Sequence, residues 1–99
     1  RFTIMGKTKF SGTFEGKQDV IQRLLTPLTS QLEGGLAIAP KHLVAEGDTV
    51  VMQAQGSSQT KSGKRYDNAY CVVFRLAGGK VKQIEEYLDT ELVTEAFGR

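Results

Sequence analysis

The spacing of apolar residues changes at Gly16 and again near Gly34, and these changes divide the chain. Residues 1–5, RFTIM, are apolar and β-favouring and predict a short strand. Residues 6–16, GKTKFSGTFEG, read as a loop from which Phe10 and Phe14 turn inward. Val20, Ile21, Leu24, Leu25 and Leu28 then recur at i, i+3 and i+4, the mark of one helix face. Pro27 lacks a backbone donor and crowds the preceding turn, so a kink or an early end is expected near Thr26. Gly34–Gly35 reads as a turn or helix stop. Strands are predicted over 36–46, 49–60, 65–76 and 81–90, with turns at Gly47–Asp48, 61–64 and 77–80. Short glycine turns between consecutive strands predict antiparallel pairing. ELVTEAF, at 91–97, predicts a short terminal helix. One amphipathic helix over one face of a curved sheet makes the class α+β.

Composition narrows the field without naming a function. The chain has 99 residues, 39% hydrophobic and 24% charged, which suits one small domain of ordinary globular type. A net charge of +2, with scattered Lys and Arg, does not describe a nucleic-acid surface. A single cysteine cannot form an internal disulfide, so a reducing, cytoplasmic setting is expected. No apolar run approaches the roughly 18 residues of a membrane span, and no signal-peptide pattern is visible. The first residue is Arg1, not Met.

The stretch IEEYLDT, at 84–90, carries three carboxylates in a strand-like segment. Alternation puts Ile84, Glu86 and Leu88 on one face and Glu85, Tyr87 and Asp89 on the other. A carboxyl held among apolar groups resists ionisation, and an acid tuned this way can pass protons near neutral pH. Strand 65–76 offers Tyr66, Asn68 and Tyr70 on a large apolar face, and strand 49–60 offers Gln53 and Gln55. Apolar walls with a few phenols, amides and one acid have the makeup of a small-molecule pocket. Phenols and amides there could hold a carbonyl or enolate oxygen. The plainer reading of Glu86 is a solvated or ion-paired charge. Asp89 can equally cap the helix that follows. His42, the only histidine, could serve as a base but better suits a partly buried structural or an exposed imidazole, and Cys71 lies among small and apolar residues as an inert thiol. No clustered His, Cys or acid ligands suggest a metal, and GGK at 78–80 lacks phosphate-loop spacing.

Two segments, FSGTFEGKQDV and RYDNAYCVVFRLAGGKVKQIEEYLDT, carry a family resemblance. They resemble the SnoaL-like, ketosteroid-isomerase-related branch of the nuclear transport factor two-like superfamily, over nearly the whole chain as a single domain, 1–99. The resemblance implies a cone-shaped α+β fold, a strongly curved antiparallel sheet wrapped around one long helix and a deep apolar pocket. It also implies pairing through the outer sheet face as a homodimer, a hydrophobic small molecule as ligand, and acid/base chemistry with no cofactor. The acidic position of the last-strand motif falls on Glu86. Where related epoxide hydrolases carry an Arg and an Asp, this chain has Gln53 and Gln55, which cannot form that charge-assisted pair. The early aspartate base of steroid isomerases has no match near residues 1–12. A cyclase- or isomerase-like role with Glu86 as acid/base is therefore expected. Tyr66, Asn68, Tyr70, Gln53, Gln55 and Leu88 would shape the substrate site. The alternative is a non-catalytic ligand-binding or dimerisation module. Relatives begin with two further helices, so the chain reads as N-terminally short.

Overall fold

A computed structural model describes residues 1–99. The elements run β1 (Phe2–Ile4), β2 (Gly12–Phe14), α1 (Lys17–Val20), a π-helical turn (Ile21–Leu25), α2 (Thr26–Thr29), β3 (Leu32–Glu46), β4 (Thr49–Thr60), β5 (Ala69–Ala77), β6 (Lys80–Leu88) and α3 (Thr90–Phe97). All six strands join one curved sheet in the order β2-β1-β6-β5-β4-β3. The α+β class is as expected. The sheet is mixed, however, because β1 runs parallel to β6, with Phe2 opposite Ile84 and Ile4 opposite Glu86. Glycine turns govern only consecutive strands, and this pairing joins the two ends of the chain.

The helix over 17–29 continues past Thr26 instead of stopping there. The Thr26 amide bonds to the Ile21 carbonyl, and this widened turn ends just before Pro27. Such a turn opens the ladder where proline would otherwise crowd it. Gly34 and Gly35 form no turn. They sit inside β3 with φ of 77° and 80°, where the pairing with β4 shifts between Glu33 and Ala37. A second shift lies between Pro40 and His42, and a third in β5 between Arg75 and Leu76. Bulges of this kind bend a sheet. The segment 65–68 is not part of β5, though Gln59 bridges to Arg65 and the chain keeps its alternation there.

Two apolar clusters fill the concave side. The larger joins the helix, β1 and α3 through Ile4, Phe10, Leu24, Leu28, Tyr66, Val93 and Phe97. Phe97 meets Tyr66 and Phe10 edge-on, with ring centroids 4.8 and 5.3 Å apart. The smaller cluster holds Ala54, Tyr70 and Val72 on the sheet itself. Leu88 packs against both. The outer sheet face exposes Val44 and Tyr87. No helix is long and apolar enough to cross a membrane.

Leu24 is 3% exposed and its neighbour Leu25 is 40% exposed, so the two test which way the helix faces. Leu24→Ala should cost about 2–5 kcal/mol in denaturant unfolding, whereas Leu25→Ala should cost under about 1 kcal/mol. Equal costs would mean that Leu25 is packed as tightly as Leu24 and does not face solvent.

Candidate functional site

A cavity of about 220 Å³ lies between the two clusters. The helix supplies Leu24, Leu25 and Leu28, β1 supplies Phe2 and Ile4, and α3 supplies Val93. Leu36 and Ile38 close it from β3. Only Thr8, Tyr66, Tyr70 and Glu86 bring polar atoms to its wall. A wider surface groove of about 520 Å³ runs between the helix and β1, over Phe2, Val20 and Ile21. Its charged groups are Arg1, Lys17 and Lys82. Glu86 and the two tyrosines line the smaller cavity, not this groove.

Register explains how an acid reaches that wall. Glu86 stands opposite Val72 on β5 and opposite Ile4 on β1, so it shares the concave face with Ile84 and Leu88. Its carboxyl is half-buried, and burial pushes its pKa from the usual 4.5 up to about 7. No charged or hydrogen-bonding neighbour offsets that burial. Desolvation acts alone.

The phenols arrive by different routes. Tyr70, on β5 opposite Ala54, is buried, and its ring passes close to the β4 backbone at Gly56. A Cβ on Gly56 would sit 2.9 Å from Tyr70 Cε2, so glycine makes room for the ring. Tyr66 comes from the segment before β5 and is 3% exposed. Burial raises the Tyr66 phenol above its ordinary value, and hydrogen bonding to Tyr70 and Asn68 offsets part of the rise. Burial likewise raises Tyr70, with the Tyr66 hydroxyl and the Glu86 charge adding to it. Both phenols therefore respond to each other and to the Glu86 charge.

Asn68 does not reach the cavity wall. It is wholly buried, donating from Nδ2 to Tyr66 Oη at 3.1 Å and to the Asp89 carbonyl at 3.1 Å. Its Oδ1 accepts from the Asp89 N–H at 3.1 Å. Gln53 and Gln55 stand on the opposite face. Gln53 pairs with Cys71 and both glutamines are exposed, and Gln55 Nε2 donates to the carbonyls of Gly56, Asp67 and Asn68. Alternation splits β4 into two faces, but only its register with β5 reveals which one is concave. Glu85 lies on the outer face in an ion pair with Arg75 at 2.7 Å. Asp89 caps α3 by accepting from the Leu92 N–H. His42 is exposed and Cys71 is half-buried and free. No group of three or more His, Cys, Asp or Glu stands close enough together to hold a metal ion. The aliphatic walls from the helix, β1 and α3 had only their apolar periodicity as a signal, which marks core and cavity alike.

Comparison with known proteins identifies the family. The SnoaL-like domain pattern matches residues 4–84, and the chain belongs to that family. No curated protein gives a match. An NTF2-like protein from Burkholderia thailandensis E264 superposes with a TM-score of 0.86 at 25% identity, covering 96% of this chain and 73% of that one. TerC, co-crystallised with polyporic acid, gives 0.81 at 24% identity over 96% of this chain and 74% of its own. A candidate SnoaL-like polyketide cyclase from Jannaschia sp. CCS1 gives 0.77 at 22% identity, covering 99% and 69%. The shared fold is that of the nuclear transport factor two-like superfamily.

The shift on Glu86 carries a stability consequence whose sign is fixed. The unfolded chain ionises this carboxyl near 4.5, while the folded protein holds the proton to about 7. Folding therefore binds a proton in that window, and stability falls as pH rises through it. Glu86→Gln should match the parent at pH 4 and exceed it by about 2–3 kcal/mol at pH 8. A difference that does not change with pH would place the carboxyl in water.

Proposed function

We propose that this SnoaL-like chain is a small-molecule enzyme of isomerase or cyclase type, in which Glu86 moves a proton on a hydrophobic substrate. The observation that carries the reading is the Glu86 carboxyl, held in an apolar cavity with a pKa of about 7 beside two phenols. Near neutral pH such a group is divided between its acid and base forms, the condition under which it can both accept and return a proton. The ionised carboxylate would take a proton from a carbon next to a carbonyl. The C–H electron pair moves into an enolate, and the protonated Glu86 then returns the proton at the same carbon or another. Phenol hydroxyls near the developing oxygen anion would lower the barrier. The cavity admits a compact apolar ligand. The resemblance in fold to a candidate polyketide cyclase, and to a protein crystallised with polyporic acid, supports an aromatic or polycyclic substrate.

The compact bicyclic ketone 2-tetralone serves as a probe, with deuterium exchange at its α-carbon followed by proton NMR in D2O. The protein should accelerate exchange, and the protein-dependent rate should climb with pH and level off above about 7, where Glu86 is ionised. Glu86→Gln should lower the protein-dependent rate by about 10²–10⁴-fold. Unchanged exchange in that variant would remove Glu86 from the chemistry and leave a binding protein.

A further inference from the structure

We infer that Asn68 is a positioning residue that fixes the Tyr66 hydroxyl as a hydrogen-bond donor into the cavity, so that the site takes ligands presenting an acceptor oxygen, as in a ketone or its enolate. The inference rests on the reading of this cavity as a ligand site.

The direction of the donor chain follows from backbone polarity. Asp89 presents an N–H and a C=O whose roles cannot be exchanged. The Asn68 Oδ1 faces the first and Nδ2 faces the second, each at 3.1 Å. These two bonds settle the orientation of an amide that could otherwise be turned over. The remaining Nδ2 proton then points at Tyr66 Oη, at 3.1 Å. Tyr66 oxygen is therefore an acceptor toward Asn68, and its own proton has to be directed elsewhere. The ring cannot swing to a different partner, since Phe97 packs against it edge-on and the residue is 3% exposed. What lies on its free side is the cavity, with Tyr70 and Glu86 on the wall.

The clamp is itself rigid. Asp89 is held from the other direction, as its side chain caps α3 through the Leu92 N–H. Asn68 thus joins the segment before β5, the end of β6 and the start of α3 in one buried amide. No Lys, Arg or His lines the cavity, so nothing there would neutralise a ligand carboxylate. The donor set and the missing cation together favour an uncharged carbonyl compound over an organic acid.

Two isosteric probes separate the possibilities, 2-tetralone with its carbonyl oxygen and tetralin without one. Binding is followed by NMR titration of the parent protein and of folded variants. The parent should prefer 2-tetralone. Tyr66→Phe should weaken 2-tetralone by about tenfold, the size of one hydrogen bond, and leave tetralin unchanged. Asn68→Ala should lower the 2-tetralone preference by about threefold to tenfold without moving tetralin, because the hydroxyl becomes free to turn away. A second measurement needs no Asn68 variant. A phenol that donates to a ketone becomes a better acceptor. The Asn68 side-chain amide proton should therefore move downfield when 2-tetralone binds and stay in place with tetralin. An unmoved amide proton, or an Asn68→Ala protein that keeps the full preference, overturns the inference. If both probes bind equally, the cavity reading stands and the donor inference fails. If neither binds, the cavity reading fails and takes this inference with it.

Discussion

The pleat of β6 forces a carboxyl into an apolar cavity, and the site depends on that constraint. Ile84 and Leu88 belong to the buried side of the sheet, and alternate positions of a strand share a face. Glu86 lies between them and has to go where they go. The cost of its desolvation appears as a carboxyl that keeps its proton to about pH 7. A structural acid would be expected to find a cation or a hydrogen bond on the way in, as Glu85 does with Arg75 on the opposite face. Glu86 finds neither. The same strand thus carries one carboxylate stabilised by pairing and one left strained by its surroundings, and the second is the better candidate for chemistry.

Close packing around that acid is achieved with few devices. Gly56 lets the Tyr70 ring lie against β4, where any side chain would collide with it. Asn68 satisfies its amide completely within the protein while holding Tyr66 and the N-cap of α3. Every buried side-chain polar atom has a partner, so the polarity of the site is confined to the cavity wall. Thr8, the two phenols and the acid are the polar groups on that wall.

Much of this was legible in the sequence, and what was missed shares one cause. Alternation in 84–90 placed Glu86 among apolar groups, and the same rule put Tyr66, Asn68 and Tyr70 on one buried side even though 65–68 is not a strand. The Asp89 cap and the terminal helix followed from local signals. Gln53 and Gln55 were misplaced because choosing between the faces of β4 requires its register with β5, a long-range fact. Gly34–Gly35 looked like a turn for the same reason. Only the ladder resuming beyond it, with Ala37 opposite Ser57, shows a bulge. The parallel pairing of β1 with β6 and the sealing of Asn68 by the Asp89 backbone are likewise contacts between distant segments. Periodicity describes faces, while pairing decides which face matters.

The measurement closest to the central claim is the pKa of Glu86 in the folded protein, by carbon-detected NMR titration of its carboxyl with Glu86→Gln fixing the assignment. A midpoint near 7 is expected of a desolvated proton-transfer group. A midpoint near the ordinary 4.5 would mean that water reaches the carboxyl freely, and would contradict the assignment of Glu86 as acid/base.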